Sequence, residues 1–177
     1  MPKLRYFILA LTILVAIIIP KTFASNKIIE IELTDLTKEA KIQVECLADN
    51  IYHEAGVEPK EGQIAVGMVT LNRVQDPRYP KDICGVVKEK KRVSSIGDKH
   101  VVCQFSWYCM PVKKDTKSQT YQQSLRVALL VYANYEMLKD ITHGALYYHA
   151  DYVNPNWRGL VKTTKIGRHI FYKELPT

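Results

Sequence analysis

The sequence predicts a small α+β domain that is mainly helical and contains two or three short strands. Apolar residues recur with helical spacing in three segments between residues 36 and 140, whereas residues 144–172 contain short aromatic runs bounded by turn residues. Helices followed by strands in this way are typical of the α+β class. The 177 residues are 47% hydrophobic and 24% charged, a composition typical of one globular domain.

The N-terminal segment has the pattern of a secretory signal peptide. Lys3 and Arg5 precede an apolar run at residues 6–19, and small residues end a cleavage pattern at Ala24. This run is shorter than the roughly 20 apolar residues of a membrane-spanning helix. We therefore expect residues 1–24 to be a signal peptide, with an uncleaved membrane anchor as the alternative.

The charge of the chain indicates which partners to expect. Removal of residues 1–24 lowers the formal net charge from +7 to +4, which suits an anionic polymer outside the cytoplasm. No clustered basic stripe is present, so nucleic acid is not an expected partner. We expect a monomer in the periplasm or cell envelope, with membrane contact only through an uncleaved N-terminal segment.

Residues 25–36 are expected to form an N-terminal arm, and the helices follow it. The first helix is predicted from apolar residues that recur on one face at steps of three and four, namely Leu36, Ala40, Val44, Leu47 and Ile51. Asp35 is expected to cap its start, and Gly56 is a glycine of the kind that ends a helix. A second helix is predicted over residues 59–74, a short one over 82–89 and a long one over 118–140.

The remaining segments are assigned to strands and loops. Residues 26–33 alternate and predict a short strand or a loose arm, and residues 90–100 are polar and basic, which predicts an exposed loop. Residues 103–109 are consistent with a strand or a disulfide-bounded turn. Residues 145–150 and 165–172 are each predicted to be one extended segment.

Four cysteines lie outside the N-terminal segment. An even number in an exported chain indicates disulfides, and four cysteines allow three pairings among which the sequence does not choose. Zinc sites need cysteine or histidine pairs at short spacing, and the two closest cysteines are six residues apart with no histidine between them. We expect disulfides formed by Cys46, Cys84, Cys103 and Cys109.

Glu54 is the most informative polar residue. It follows Ile51 by three residues and Leu47 by seven, so it continues the apolar face of the first helix. A carboxyl group near the protein interior tends to keep its proton, as a general acid requires, or to form an ion pair. Glu54 is therefore a candidate general acid, and an ion pair with Arg73 or Lys60 is the structural alternative.

Neither metal nor cofactor chemistry has a sequence signal. The five histidines form neither an HxH nor an HExxH pattern, so no metal site and no cofactor are expected. The aromatic residues give a second signal, because aromatic rings with polar groups suit sugars, which present apolar ring faces and hydroxyl groups. Those outside the helical stripes are Phe105, Trp107, Tyr108, Tyr147, Tyr148, Tyr152 and Trp157.

Four sequence blocks together resemble a known family. They are CLADNIYHEAGVEPKEGQIAVGMVTLNRVQDPRYPKDICGVV (46–87), CQFSWYC (103–109), GALYYHADYVNPNW (144–157) and KIGRHIFY (165–172). In this order they resemble the cell wall hydrolase family of the spore cortex-lytic enzyme type. The four cysteines resemble the variant found in exported proteins of Gram-negative bacteria and their phages.

This resemblance implies a lysozyme-like catalytic domain at residues 37–177 that cleaves peptidoglycan glycan strands. The catalytic glutamate of the family motif falls on Glu54. From their places in the family blocks and their chemistry, the residues expected to bind substrate are Gln104, Tyr147 and Tyr148, which line the cleft, and Asn72, which lies close by. The structural alternative for Asn72 is that it ties down the end of the second helix.

The chemistry implied is cleavage between N-acetylmuramic acid and N-acetylglucosamine. Hydrolysis normally uses two carboxylates, and Asp151 is only a weak second candidate, so a single acid favours a lytic transglycosylase. The alternatives are a hydrolytic muramidase, a zinc-dependent muramoyl amidase and a non-catalytic protein that binds the cell wall.

Overall fold

The computed structural model describes residues 28–95, 98–110 and 112–175. The predicted signal peptide, residues 1–24, lies outside the described residues. Within the described ranges, no helix has the length and apolar character needed to cross a membrane.

The protein is an α+β domain, as the sequence predicts. Short 3₁₀ helices occupy Leu33–Asp35 and Ser106–Cys109. The described α-helices are α1 (Lys38–Ala55), α2 (Lys60–Gln75), α3 (Ile83–Val87) and α4 (Gln119–Asn134), and the strands are β1 (Lys90–Ser95), β2 (Asp98–Cys103), β3 (Tyr147–Ala150), β4 (Leu160–Ile166) and β5 (His169–Glu174).

Helix α1 has the predicted apolar face but a different N-terminal cap. The Thr37 side chain accepts a hydrogen bond from the Ala40 backbone N–H, whereas Asp35 lies in the preceding 3₁₀ helix and accepts one from Glu32. The prediction that Asp35 caps α1 is therefore wrong, because the 3₁₀ turn moves the helix start by two residues. The buried residues of α1 include Val44, Leu47, Ala48, Ile51 and Ala55.

Helix α2 is the central helix of the domain. It is buried on several sides, and its Gly67 lets Ile51 of α1 and Val131 of α4 approach closely. On its other side, Ala65 and Val69 pack against Phe171 of β5. Helix α2 therefore joins the helical layer to the sheet and positions residues from both at one end of the domain.

Helix α4 ends earlier than predicted. Ser118 caps its N-terminus, but the helix stops at Asn134 and does not continue to Asp140. The Asn134 amide exchanges hydrogen bonds with both backbone groups of Ile29, and Asp140 accepts hydrogen bonds from the loop that follows it. These polar side chains form hydrogen bonds with backbone groups outside the helix, and they thereby favour a loop over a continued helix.

The strands form two antiparallel sheets. Strands β1 and β2 form a hairpin, whereas β3, β5 and β4 form a three-stranded sheet in that order. The prediction of an exposed loop at residues 90–100 is therefore wrong. The hairpin is held by backbone pairing between strands whose sequence carries no alternating apolar face, so periodicity does not reveal it.

The segment 165–172 is likewise not one extended strand. Gly167 has a φ of 56° and turns the chain between β4 and β5, so the segment is the closed end of a hairpin. Residues 28–32 are irregular, which corresponds to the arm alternative of the sequence prediction.

All four cysteines form disulfides, which confirms that prediction. Cys46–Cys84 joins α1 to α3, with a Cα–Cα distance of 5.2 Å. Cys103–Cys109 closes the segment after β2, with a Cα–Cα distance of 5.9 Å. The first bond fixes the helical layer and the second fixes a loop beside Glu54.

Candidate active site

A cleft of about 300 Å³ lies where the end of α1 meets α2, the disulfide loop and the start of β3. The residues that line it are Glu54, Arg73, Cys103, Gln104, Phe105, Ser106, Tyr147, Tyr148 and Trp157. Among the described residues in this lining, Glu54 is the one carboxylic acid. The helical layer therefore contributes an acid and the other elements contribute amide and aromatic groups.

Glu54 is held in the last turn of α1 by its neighbours. Ile51 and Ala55 on the same helix are buried in the core, which leaves Glu54 partly buried at the cleft wall. The Tyr148 hydroxyl donates a hydrogen bond to Glu54 Oε2 over 3.1 Å. The apolar periodicity of α1 therefore places this carboxyl group in a defined orientation.

The surroundings of Glu54 act on its protonation in opposite directions. Burial raises the pKa of Glu54 above its ordinary value, while the Tyr148 hydrogen bond and the Arg73 charge act to lower it. The net pKa is raised, because desolvation of the carboxylate is the largest of the three effects. A carboxyl group poised in this way can release a proton and recover it.

Arg73 supplies the positive charge in the cleft. Its side chain is 4% exposed, its Nε donates to the Leu146 carbonyl over 2.8 Å, and its guanidinium lies 5.2 Å from the centre of the Phe105 ring. Among the described residues, neither Arg73 nor Lys60 forms a salt bridge with Glu54. The structural alternative for Glu54, a simple ion pair, is thus not observed.

The disulfide loop forms one wall of the cleft and is anchored to α1. The Trp107 ring stacks on His53 with centroids 4.4 Å apart, and its Nε1 donates to buried Asn50 over 3.2 Å. Gln104, which follows Cys103, has no side-chain hydrogen bond to any of the described residues. Its amide can therefore serve a ligand.

Strand β3 contributes both tyrosines predicted for the site. Tyr148 pairs with Phe171 in the sheet and packs 5.7 Å from its ring, on the core side. Tyr147 lies on the opposite face, where its hydroxyl donates to Glu174 over 2.7 Å. The structure therefore brings three predicted residues, Gln104, Tyr147 and Tyr148, into the same cleft as Glu54.

Asn72 stands apart from this lining. Its Nδ2 lies within 3.1–3.3 Å of acceptors on Asp140, Thr142 and Ala145, and its Oδ1 accepts from the Tyr135 hydroxyl over 2.8 Å. These contacts tie the end of α2 to the loop before β3. Asn72 is therefore not part of the cleft lining, and its contacts correspond to the structural alternative, in which it ties down the end of α2.

Among the residues that the structure describes, no second carboxylate lines the cleft with Glu54. Asp151 lies outside the cleft lining, and its Oδ2 is 2.9 Å from Lys165 Nζ. Asp49 is on another side of α1 and forms an ion pair of 2.7 Å with Lys114. Both acids are engaged with lysines, so neither is arranged to act with Glu54.

The histidines are dispersed over the fold. Along with His53, His149 and His169 pack against aromatic rings, and His143 lies in an exposed turn. The described residues contain no group of three or more histidine, cysteine or acidic side chains with the arrangement of a metal site.

Arg73 and Trp157 are among the lining residues that the sequence does not assign to the site. Arg73 is a charged residue near the end of α2, and the sequence indicates it only as the alternative ion-pair partner of Glu54. Trp157 belongs to the aromatic signal, but its position depends on the path of the loop between β3 and β4. The periodicity of the sequence does not predict that path.

Comparison with known proteins identifies the family. The family model described as Cell Wall Hydrolase matches residues 57–172, a segment that begins just after Glu54. The spore cortex-lytic enzyme of Bacillus subtilis is 31% identical over 130 residues, covering 72% of this chain and 36% of that enzyme. The spore cortex-lytic enzyme of Bacillus cereus is 29% identical over 134 residues, covering 73% of this chain and 44% of that enzyme. The chain thus spans less than half the length of these relatives.

A solved structure agrees with the sequence comparisons. The catalytic domain of the Bacillus cereus SleB protein superimposes with a TM-score of 0.52 at 26% identity, covering 74% of this chain and 89% of that domain. The resemblance and the α+β fold predicted from the sequence are both confirmed. The chain belongs to the cell wall hydrolase family.

Proposed function

We propose that this protein is a lytic transglycosylase that cleaves peptidoglycan glycan strands between N-acetylmuramic acid and N-acetylglucosamine. The observation that carries the proposal is Glu54, a partly buried acid bonded to Tyr148 in a cleft with no second carboxylate among the described lining residues. Two carboxylates are the usual requirement of a glycosidase that activates water or forms a covalent intermediate. A single acid fits a reaction in which the substrate supplies its own nucleophile.

Glu54 acts first as a general acid. Its raised pKa favours the protonated form, and it donates that proton to the glycosidic oxygen as the bond from the muramic acid C1 breaks. The N-acetylglucosamine leaves with a free 4-hydroxyl group. The buried guanidinium of Arg73 stabilises the Glu54 carboxylate that remains.

Glu54 acts next as a general base. Its carboxylate accepts the proton of the muramic acid 6-hydroxyl group while that oxygen forms a bond to C1. The product is a 1,6-anhydro sugar, and Glu54 returns to its protonated form without a water molecule being consumed. Gln104 can hold an acetamido group and Tyr147 can contact a sugar ring, since both side chains line the cleft.

The location that fits this activity is outside the cytoplasm. Two disulfides and the signal-peptide pattern of residues 1–24 support export to the periplasm or cell envelope, with residues 37–177 as the catalytic domain.

Mass spectrometry of sacculi digested by the purified protein tests this function. We expect soluble fragments that end in 1,6-anhydromuramic acid. Reducing muramic acid ends would identify a hydrolytic muramidase instead, and free stem peptides with activity lost in chelator would identify a zinc-dependent amidase. Binding to sacculi without any released product would identify a wall-binding protein.

A further inference from the structure

Trp157 occupies an unusual position for an exposed aromatic residue. Its side chain is 42% exposed, yet it lines the same cleft as Glu54. Single exposed apolar residues are common on protein surfaces and need no explanation. An indole exposed at the wall of a cleft that also contains a partly buried acid, however, presents an apolar surface to whatever binds there.

The indole of Trp157 is held in place by three other rings. Its centroid lies 6.2 Å from that of Tyr147, 5.3 Å from that of His149 and 5.6 Å from that of Tyr172. The last two rings are themselves stacked at 5.2 Å, and His149 Nε2 is 3.1 Å from the Tyr172 hydroxyl. This support comes from neighbouring strands β3 and β5, so the ring is oriented before any ligand arrives.

Tyr147 links the indole to a polar network. Its hydroxyl donates to Glu174, and Glu174 in turn forms a salt bridge with Arg78. A side chain fixed in this way loses little conformational entropy when a ligand covers it, which favours binding. Gln104 lies in the same cleft with its amide free of hydrogen bonds to the described residues.

We propose that Trp157 is the platform of a sugar-binding subsite next to Glu54, on which the apolar face of an N-acetylated hexopyranose ring packs. The inference rests on the proposed function and adds a residue that determines where the glycan strand lies. Sugar rings present C–H groups on one face and hydroxyl groups at their edge, a combination that suits an indole bordered by a tyrosine and an amide. Trp157 acts in binding, and the proton transfers remain with Glu54.

Calorimetric titration tests the subsite in a background that does not turn over. The parent is the Glu54→Gln variant, and the probe is a tetrasaccharide of alternating N-acetylglucosamine and N-acetylmuramic acid. We expect Trp157→Ala to raise the Kd for the probe about tenfold. Tyr152→Ala is the matched control, because Tyr152 is 77% exposed and packs with Arg168 outside the cleft lining, and we expect it to leave the Kd unchanged.

A conservative variant provides a second readout that does not depend on the alanine variant folding. The two tryptophans, Trp107 and Trp157, both contribute to the intrinsic fluorescence. A sugar ring packed on Trp157 should change the fluorescence of the parent, and Trp157→Phe should reduce that change by removing the contribution of Trp157. An equal Kd in the Trp157→Ala and parent proteins, or an unaltered fluorescence response in Trp157→Phe, would overturn the subsite. These binding results are independent of the reaction products, so a failure of the proposed function would be seen separately in the digests of sacculi.

Discussion

Replacing Tyr148 by Phe tests how the cleft sets the protonation of Glu54. The change removes the hydroxyl that donates to Glu54 Oε2 over 3.1 Å and leaves the ring that packs on His169 and Phe171. The hydrogen bond favours the ionised carboxylate and thus acts to lower the pKa of Glu54. Without it, the pKa of Glu54 should rise further above its ordinary value.

The size of this shift follows from the strength of the hydrogen bond. A hydrogen bond to a charged group contributes about 1.5–3 kcal/mol, and one pKa unit corresponds to about 1.4 kcal/mol. Complete loss would raise the pKa of Glu54 by roughly one to two units. Because Glu54 borders an open cleft, water replaces part of the lost bond, and we expect a shift of about one unit.

The assay is the rate at which purified sacculi lose turbidity as a function of pH. A general acid must be protonated, so the rate falls as the pH rises through the pKa of Glu54. Tyr148→Phe should move this descending limb about one pH unit higher. Tyr147→Phe is the matched control, because its hydroxyl bonds Glu174, and its limb should stay in place. A limb that is unmoved, or moved to lower pH, in Tyr148→Phe would refute the reasoning.

The two disulfides should differ in what their loss affects. Replacing Cys46 and Cys84 by Ser opens a loop with a sequence separation of 38 and should lower the unfolding free energy by about 4 kcal/mol. Replacing Cys103 and Cys109 by Ser opens a loop with a separation of 6 and should lower it by only about 2 kcal/mol. The second change should nevertheless reduce activity more, because the Cys103–Cys109 bond shapes the cleft. Urea unfolding and turbidity clearing measure both, and an equal activity loss per folded molecule would contradict this assignment. Asn72→Ala should lower the unfolding free energy by about 2–3 kcal/mol, since it leaves several partly buried partners unpaired, and an unchanged urea midpoint would show that this network is not structural.

The helical part of the fold and the position of Glu54 could be predicted from the sequence because both depend on local periodicity. Leu47 and Ile51 mark the buried face of α1, and Glu54 continues it. Helix ends were less predictable, because Thr37 and Asn134 act through side-chain hydrogen bonds that compete with the apolar pattern.

The parts that escaped prediction depend on contacts between distant segments. The hairpin of β1 and β2 is stabilised by backbone pairing, which leaves no alternating pattern in the sequence. Arg73 and Trp157 reach the cleft because α2 packs on the sheet and because the loop after β3 folds back over Tyr147. Gln104 belongs to a family block and lines the same cleft as Glu54, whereas the role of Asn72 depends on its contacts with the loop before β3, which the sequence pattern does not reveal.

The activity of Glu54→Gln on purified sacculi tests the central claim most directly. Gln has nearly the same shape but no carboxyl proton to donate, and general acid–base catalysis typically contributes roughly 10²–10⁴-fold to a rate. We expect that variant to unfold at the wild-type temperature and to lose nearly all clearing activity, while Glu61→Gln, the same change at an exposed position in the first turn of α2, keeps it. Clearing by a folded Glu54→Gln protein at a rate near that of the wild type would contradict the proposed role of Glu54 as acid and base.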